Sequence, residues 1–132
     1  MTTFPAKHIG ISINKPANEV YDFVLNAENL PKWATGLSST IKKTGDEWIA
    51  DSPMGEVKIK FAAKNAFGIL DHEVTLPSGE KVLNPMRVFP NNNGSELLFT
   101  VYRLPGMTDD QYLNDTNMVA NDLAALKEIL EK

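Results

Sequence analysis

The last quarter of the chain constrains its fold most. From Thr108 to Lys132 the sequence reads as one long amphipathic helix. Thr108 with Gln111 three residues on is a capping-box pattern, in which the hydroxyl accepts from a first-turn amide and the Gln side chain returns to the amide of the cap residue. Asp109 and Asp110 fall in the first turn, where the helix dipole favours negative charge, and Lys127 and Lys132 fall toward the end, where it favours positive charge. Tyr112, Thr116, Val119, Ala120, Leu123, Leu126 and Leu130 recur at three- and four-residue spacing and form an apolar stripe. At the helical rise such a segment is roughly 34 Å long, enough to cross a small domain from end to end.

Upstream of it the chain is punctuated by glycine. Gly36, Gly45, Gly55, Gly68, Gly79, Gly94 and Gly106 fall between segments of strand or helix character, and only Gly10 lies inside one. The segments 7–13, 37–43, 46–52, 56–63, 67–76, 80–90 and 95–103 read as strands, several with period-two alternation. Turn residues at Thr44-Gly45-Asp46, Ser52-Pro53-Met54-Gly55, Pro77-Ser78-Gly79 and Asn91-Asn92-Asn93-Gly94 predict antiparallel hairpins between neighbours. Between the first two strands, Pro16 followed by Ala17, Val20, Tyr21, Phe23 and Val24 predicts a short helix. Pro31 to Trp33 predicts a second, with Asn29 as its cap. The order is β-α-α-β6-α, an α+β fold. Seven strands about 4.8 Å apart make a sheet roughly 34 Å wide, whereas a helix is only about 10–12 Å across. One helix cannot cover such a sheet if it is flat. The sheet must curl around the helix, and a strongly curved sheet with one filler leaves an internal pocket.

Length and composition set the boundaries of function. With 132 residues and 42% hydrophobic side chains, one domain spanning 1–132 is expected. No run of eighteen apolar residues occurs and the first residues resemble no export signal, so a cytoplasmic protein without a membrane span is expected. The absence of cysteine removes disulfides, thiol catalysis and thiolate metal sites, and agrees with a reducing compartment. Residues 1–66 carry 8 basic and 7 acidic side chains and residues 67–132 carry 5 and 10, so the halves have net charges of +1 and −5. Lys42-Lys43 and the alternating Lys58 and Lys60 are the only concentrations of positive charge, which argues against nucleic acid as a partner. His8 and His72 lack metal-ligand spacing, and no phosphate loop, dinucleotide fingerprint or Gly-x-Ser-x-Gly is present. Neither a metal nor another cofactor is expected.

Several stretches carry a resemblance. Ile11 to Ala17 leading into Val20-Tyr21-Asp22-Phe23-Val24, the segment Asn29 to Trp33, and Asp122 to Lys127 in the final helix are similar to the START-like superfamily, also called SRPBCC, and cover essentially the whole chain. Leu70 to Val74, Pro85 to Val88 and Leu104 to Met107 resemble its small bacterial polyketide cyclase/dehydrase-like members. The resemblance implies a helix-grip fold, with a curved seven-stranded antiparallel sheet around the C-terminal helix. The superfamily includes lipid carriers, hormone receptors, aromatic cyclases and chaperone regulators, so fold alone does not choose an activity.

His72 is the first candidate for chemistry. It shares strand parity with Leu70, Val74 and Leu76, so its imidazole is expected to face inward, either as a core histidine or as a ligand contact. Arg87 lies in the 80–90 strand, where Pro85 removes a ladder donor and suggests an edge or a bulge that makes parity unreliable; downstream of it Arg87 shares phase with Phe89. An inward guanidinium there would suit a carboxylate or enolate oxygen; the alternative is a surface arginine paired with Glu73 or Glu80. Trp33, Trp48, Phe61, Met86 and Phe99, together with Phe67, Met54 and Met118, are candidate pocket walls, and Tyr112 and Thr116 are candidate inward hydroxyls. Three functions stay open: binding of a small hydrophobic or aromatic molecule, lipid included; a cyclase- or dehydratase-like reaction in the same pocket, with His72 moving a proton; and an interaction module acting through an outer surface. A monomer and a homodimer are equally compatible with the sequence.

Overall fold

The computed structural model describes residues 2–34 and 40–132. Its elements are β1 (Ala6–Ile13), α1 (Ala17–Leu25), a 3-10 turn (Ala27–Asn29), α2 (Leu30–Trp33), β2 (Thr40–Thr44), β3 (Glu47–Ser52), β4 (Gly55–Phe61), β5 (His72–Thr75), β6 (Lys81–Asn84), β7 (Met86–Asn91), β8 (Gly94–Tyr102) and α3 (Asp109–Glu131). The fold is α+β with antiparallel pairing throughout, and the four expected hairpins form. The expected turn at Gly36 and the start of the 37–43 strand lie outside the described residues.

The described residues form eight strands where the sequence predicts seven, and Pro85 is the reason. The 80–90 segment divides there into β6 and β7, giving sheets ordered β1-β8-β7 and β2-β3-β4-β5-β6. Register nevertheless runs on across the break. Ile69 bridges Arg87 in phase with His72 opposite Asn84, Leu70 N donates to Met86 O at 2.8 Å, and Val88 N donates to Gly68 O at 3.0 Å. Proline has no N–H for the ladder. Beside it, the Asp71 carboxylate accepts from Met86 N at 2.8 Å and caps the gap. Close approach makes glycine obligatory at Gly68: its φ is +72°, and a Cβ there would stand 2.0 Å from the Val88 carbonyl oxygen.

The two sheets curl around α3, which is fastened at both ends. The capping box forms, with Thr108 Oγ1 accepting from Gln111 N at 3.1 Å and Gln111 Oε1 accepting from Thr108 N at 2.9 Å. Arg103 adds an ion pair to Asp109 and donates twice to Met107 O. At the other end Lys127 donates to Ser12 O (2.7 Å) and to Glu131 (2.6 Å), whose carboxylate also accepts from Asn14 N (2.8 Å), so the last turn is tied to β1 and the residue after it. Thr116, Leu123 and Leu126 are buried and Tyr112, Val119 and Leu130 half-buried; Ala120 is exposed, contrary to the stripe read from the sequence. The alternating four- and three-residue steps 112-116-119-123-126-130 make a narrow seam, and residue 120 lies beyond its edge. Asn29 makes no cap bond either. Its side chain instead donates to Phe23 O and accepts from Lys32 Nζ, while Asn26 caps the 3-10 turn. No helix among the described residues is long and apolar enough to cross a membrane.

Candidate ligand cavity

Between α3 and the concave face of the sheet lies a cavity of about 240 Å³. Alternation along the strands directs His72, Val74 and Leu76 from β5 and the residue after it, Val82 and Asn84 from β6, and Phe99 and Val101 from β8 into it. Asp115, Met118, Val119, Asp122 and Leu123 face it from α3, at three- and four-residue spacing. Leu30, Trp33 and Ala34 close one end, and Met54, Tyr102, Leu104 and Met107 complete the wall. Met54 is more than half exposed while also lining the cavity, and so marks where the cavity meets solvent.

Two polar side chains in this wall are almost wholly buried. His72 is 4% exposed and lies between Phe61, its cross-strand neighbour at 5.1 Å between ring centroids, and Phe99 at 5.5 Å. Its Nδ1 is 3.1 Å from Leu70 O. A carbonyl only accepts, so Nδ1 carries the hydrogen and Nε2 is left as an acceptor in the neutral ring. Burial pushes the pKa of His72 below its ordinary value, against the opposing pull of the Leu70 carbonyl and the Asp71 charge, which keeps the ring neutral at neutral pH. Trp33 is 2% exposed, and its indole Nε1 is a buried donor with no partner among the described residues. Asp115 has its pKa raised by burial.

No protein-family model matches the sequence, and no curated protein matches it. Solved structures match the fold. XoxI from Bacillus cereus has a TM-score of 0.74 at 14% identity, with 94% of each chain covered. The Aha1 dimer from Colwellia psychrerythraea has a TM-score of 0.71 at 17% identity, with 96% of each chain covered. DynU16, a protein of the dynemicin biosynthetic locus, has a TM-score of 0.73 at 16% identity over 96% of this chain and 47% of its own. The fold is the START-like helix grip. At these identities the likeness concerns architecture, and function has to be argued from the cavity.

Of the candidates read from the sequence, the helix grip brings Trp33, His72 and Phe99 to the cavity wall, with Met54 and Met118. It does not bring Arg87 there. Arg87 and Phe89 do share a phase, but Met86 and Val88 are the inward pair, so the guanidinium lies on the outer face. There it grips neither Glu73 nor Glu80 but Asp71, through Nε to Oδ1 at 3.0 Å and Nη2 to Oδ2 at 2.8 Å. Trp48 lies toward the edge of the sheet, paired across β2–β3 with Lys43, whose ammonium sits 5.8 Å from the indole centroid. Phe61 packs on His72 without lining the cavity, and Met86, opposite Phe99 in the ladder, is enclosed in the core. The Tyr112 hydroxyl donates to Val101 O at 3.0 Å, and Thr116 bonds back to Leu113 O at 3.0 Å, so neither hydroxyl serves the cavity. Phe67 stands 81% exposed on a larger outer cleft of about 640 Å³, between the start of α1 and the β7–β8 turn. That cleft is the more polar of the two, whereas the smaller cavity is walled by apolar side chains with a few convergent polar groups. Sequence reasoning passed over Asn84, Asp115 and Asp122. The signals were there: Asn84 is in phase with Val82, and the two aspartates flank the α3 stripe seven residues apart.

Proposed function

We propose that this helix-grip protein binds a small, largely apolar molecule in the cavity between the sheet and α3. The observation that carries this reading is the unfilled volume itself, walled by aliphatic, aromatic and thioether side chains around a few buried polar groups. An apolar cavity of about 150 Å³ is known to stay dry and accept benzene. The 240 Å³ here is room for one or two rings. The placement of DynU16 in a biosynthetic locus is in keeping with small-molecule handling by this fold. A catalytic role has less support, because Arg87 is turned outward and the Tyr112 hydroxyl is held by Val101, so neither assists His72. The lack of cysteine fits work in a reducing compartment such as the cytoplasm.

The test is occlusion. An environment-sensitive hydrophobic dye should bind the native protein saturably, and native mass spectrometry should detect the one-to-one complex. Val119→Trp, which fills the cavity from α3, should abolish binding while the circular dichroism spectrum stays native. A dye that binds the occluded variant equally well, or binds only once the protein begins to unfold, refutes the reading.

A further inference from the structure

We propose that the molecule held in this cavity is a small organic cation, a body of one or two apolar rings bearing a protonated amine, whose charge is met by Asp115 and whose N–H is accepted by Nε2 of His72. The inference rests on the cavity-binding reading and narrows it to a chemical class. His72 lines the cavity from β5 at 4% exposure. Its Nδ1 hydrogen is committed to Leu70 O, so Nε2 can only accept. Among the described residues, the fully enclosed side-chain nitrogens and oxygens without a partner are Trp33 Nε1 and Ser95 Oγ. Nε2 of His72 makes no hydrogen bond among the described residues and yet is not one of them, so the little surface that His72 keeps includes this atom, in a side chain that lines the cavity. A buried acceptor so placed calls for a donor inside the cavity.

The helix side supplies the charge. Asp115 faces the same space from α3, half-buried and with no hydrogen bond or ion pair among the described residues; burial alone acts on its carboxyl and raises its pKa. A carboxylate short of both water and counter-charge is stabilised by a cation that enters beside it, and an ammonium brings three N–H donors together with its charge. Asn84, opposite His72 across β5–β6, adds an amide to the wall, and Asp122 adds a second acidic side chain. No Lys or Arg among the described residues lines the cavity. Arg103, between the lining residues Tyr102 and Leu104, is engaged with Met107 O and Asp109. An entering ammonium therefore meets acceptors and negative charge with no resident cation to displace.

Four naphthalenes of similar size test this by calorimetry on the full chain at pH 7.5: 2-(aminomethyl)naphthalene, 2-naphthylmethanol, 2-ethylnaphthalene and 2-naphthoate. The amine should bind the wild type at least about tenfold tighter than the ethyl compound, which is the scale of one hydrogen bond to a charged group, the alcohol should fall between them, and naphthoate should bind weakest. Asp115→Asn should abolish the preference for the amine over the ethyl compound, and Asp115→Glu should restore part of it. His72→Phe, which removes Nε2, should reduce the same preference about fivefold. Val119→Trp, which occupies the cavity, should abolish binding of the amine. In the wild type, with no substitution to disturb the fold, an amine bound no tighter than the alcohol or the ethyl compound, or a naphthoate bound as tightly as the amine, overturns this inference and leaves cavity binding standing. So does an amine preference that survives Asp115→Asn or His72→Phe intact, or an amine that binds the Val119→Trp variant equally well, which would mark attraction to the acidic outer surface. If none of the four binds, the cavity reading falls and this inference with it.

Discussion

Position 72 holds a weak base in a place that disfavours its charge. Between Phe61 and Phe99, His72 has its pKa held below the ordinary value, chiefly by burial. The sign of the pH effect follows. As pH falls below about 6.5 the unfolded chain takes a proton that the native imidazole refuses, so stability is full above that pH and declines below it, by at most ~1.4 kcal/mol per unit. Asp71 works in a lower window. Its pKa is depressed mainly by Arg87, so its contribution is present above about pH 4 and lost as pH falls further. Urea midpoints measured at pH 7.5 and 5.5 should therefore drop in the wild type and drop less in His72→Phe; equal drops would show that His72 titrates as an exposed histidine does. The Asp71–Arg87 pair should respond asymmetrically to truncation. Asp71→Ala strands Met86 N and should cost about 1–3 kcal/mol, whereas Arg87→Ala removes a half-exposed partner and should cost less than about 1 kcal/mol, both by chemical denaturation. Arg87→Ala should also leave dye affinity unchanged, since the side chain lies outside the cavity. Strand parity was enough to turn His72 inward from sequence. For Arg87 it gave the right phase and no side, because the bulge expected at Pro85 made parity ambiguous, and the register that resolves it is a long-range property of the sheet.

Among the elements, α3 was the most legible, since its capping box, first-turn acids and seam are all local signals. Leu126 is fully buried on that seam, so Leu126→Ala should lower stability by about 2–5 kcal/mol. A denaturation midpoint unchanged within error would mean that this side of α3 is not core. The hairpins were legible for the same reason, each turn being announced by glycine, proline or asparagine. What sequence did not resolve is where a strand stops being straight. Pro85 lies between β6 and β7 and Gly68 in the segment before β5, and the Asp71 carboxylate, the Gly68–Val88 approach and the Leu70–Met86 bond that shape the break are contacts between residues 15 to 20 positions apart. Composition cannot show how those meet.

At the scale of the whole molecule, a sheet too wide for one helix was visible from strand number alone, and the interior space beneath α3 is its consequence. The identity of the wall was not visible, because it depends on how far each half of the sheet curls and on the rotation of α3 that turns Asp115 and Asp122 inward. The fastening of α3 bears on timing. With Arg103 binding its first turn to the preceding loop and Lys127 and Glu131 binding its last turn to β1 and Asn14, lifting the helix away would break both sets of bonds together. On the binding reading proposed above, a molecule entering or leaving would take the less costly route past Met54, an unbranched, half-exposed thioether that can change rotamer without disturbing the backbone. Residence time would then be set by a side chain at the mouth and not by the fold. Met54→Trp should slow association and dissociation together while changing the equilibrium constant little, as stopped-flow fluorescence with the dye would record; a change confined to the dissociation rate would place the doorway elsewhere.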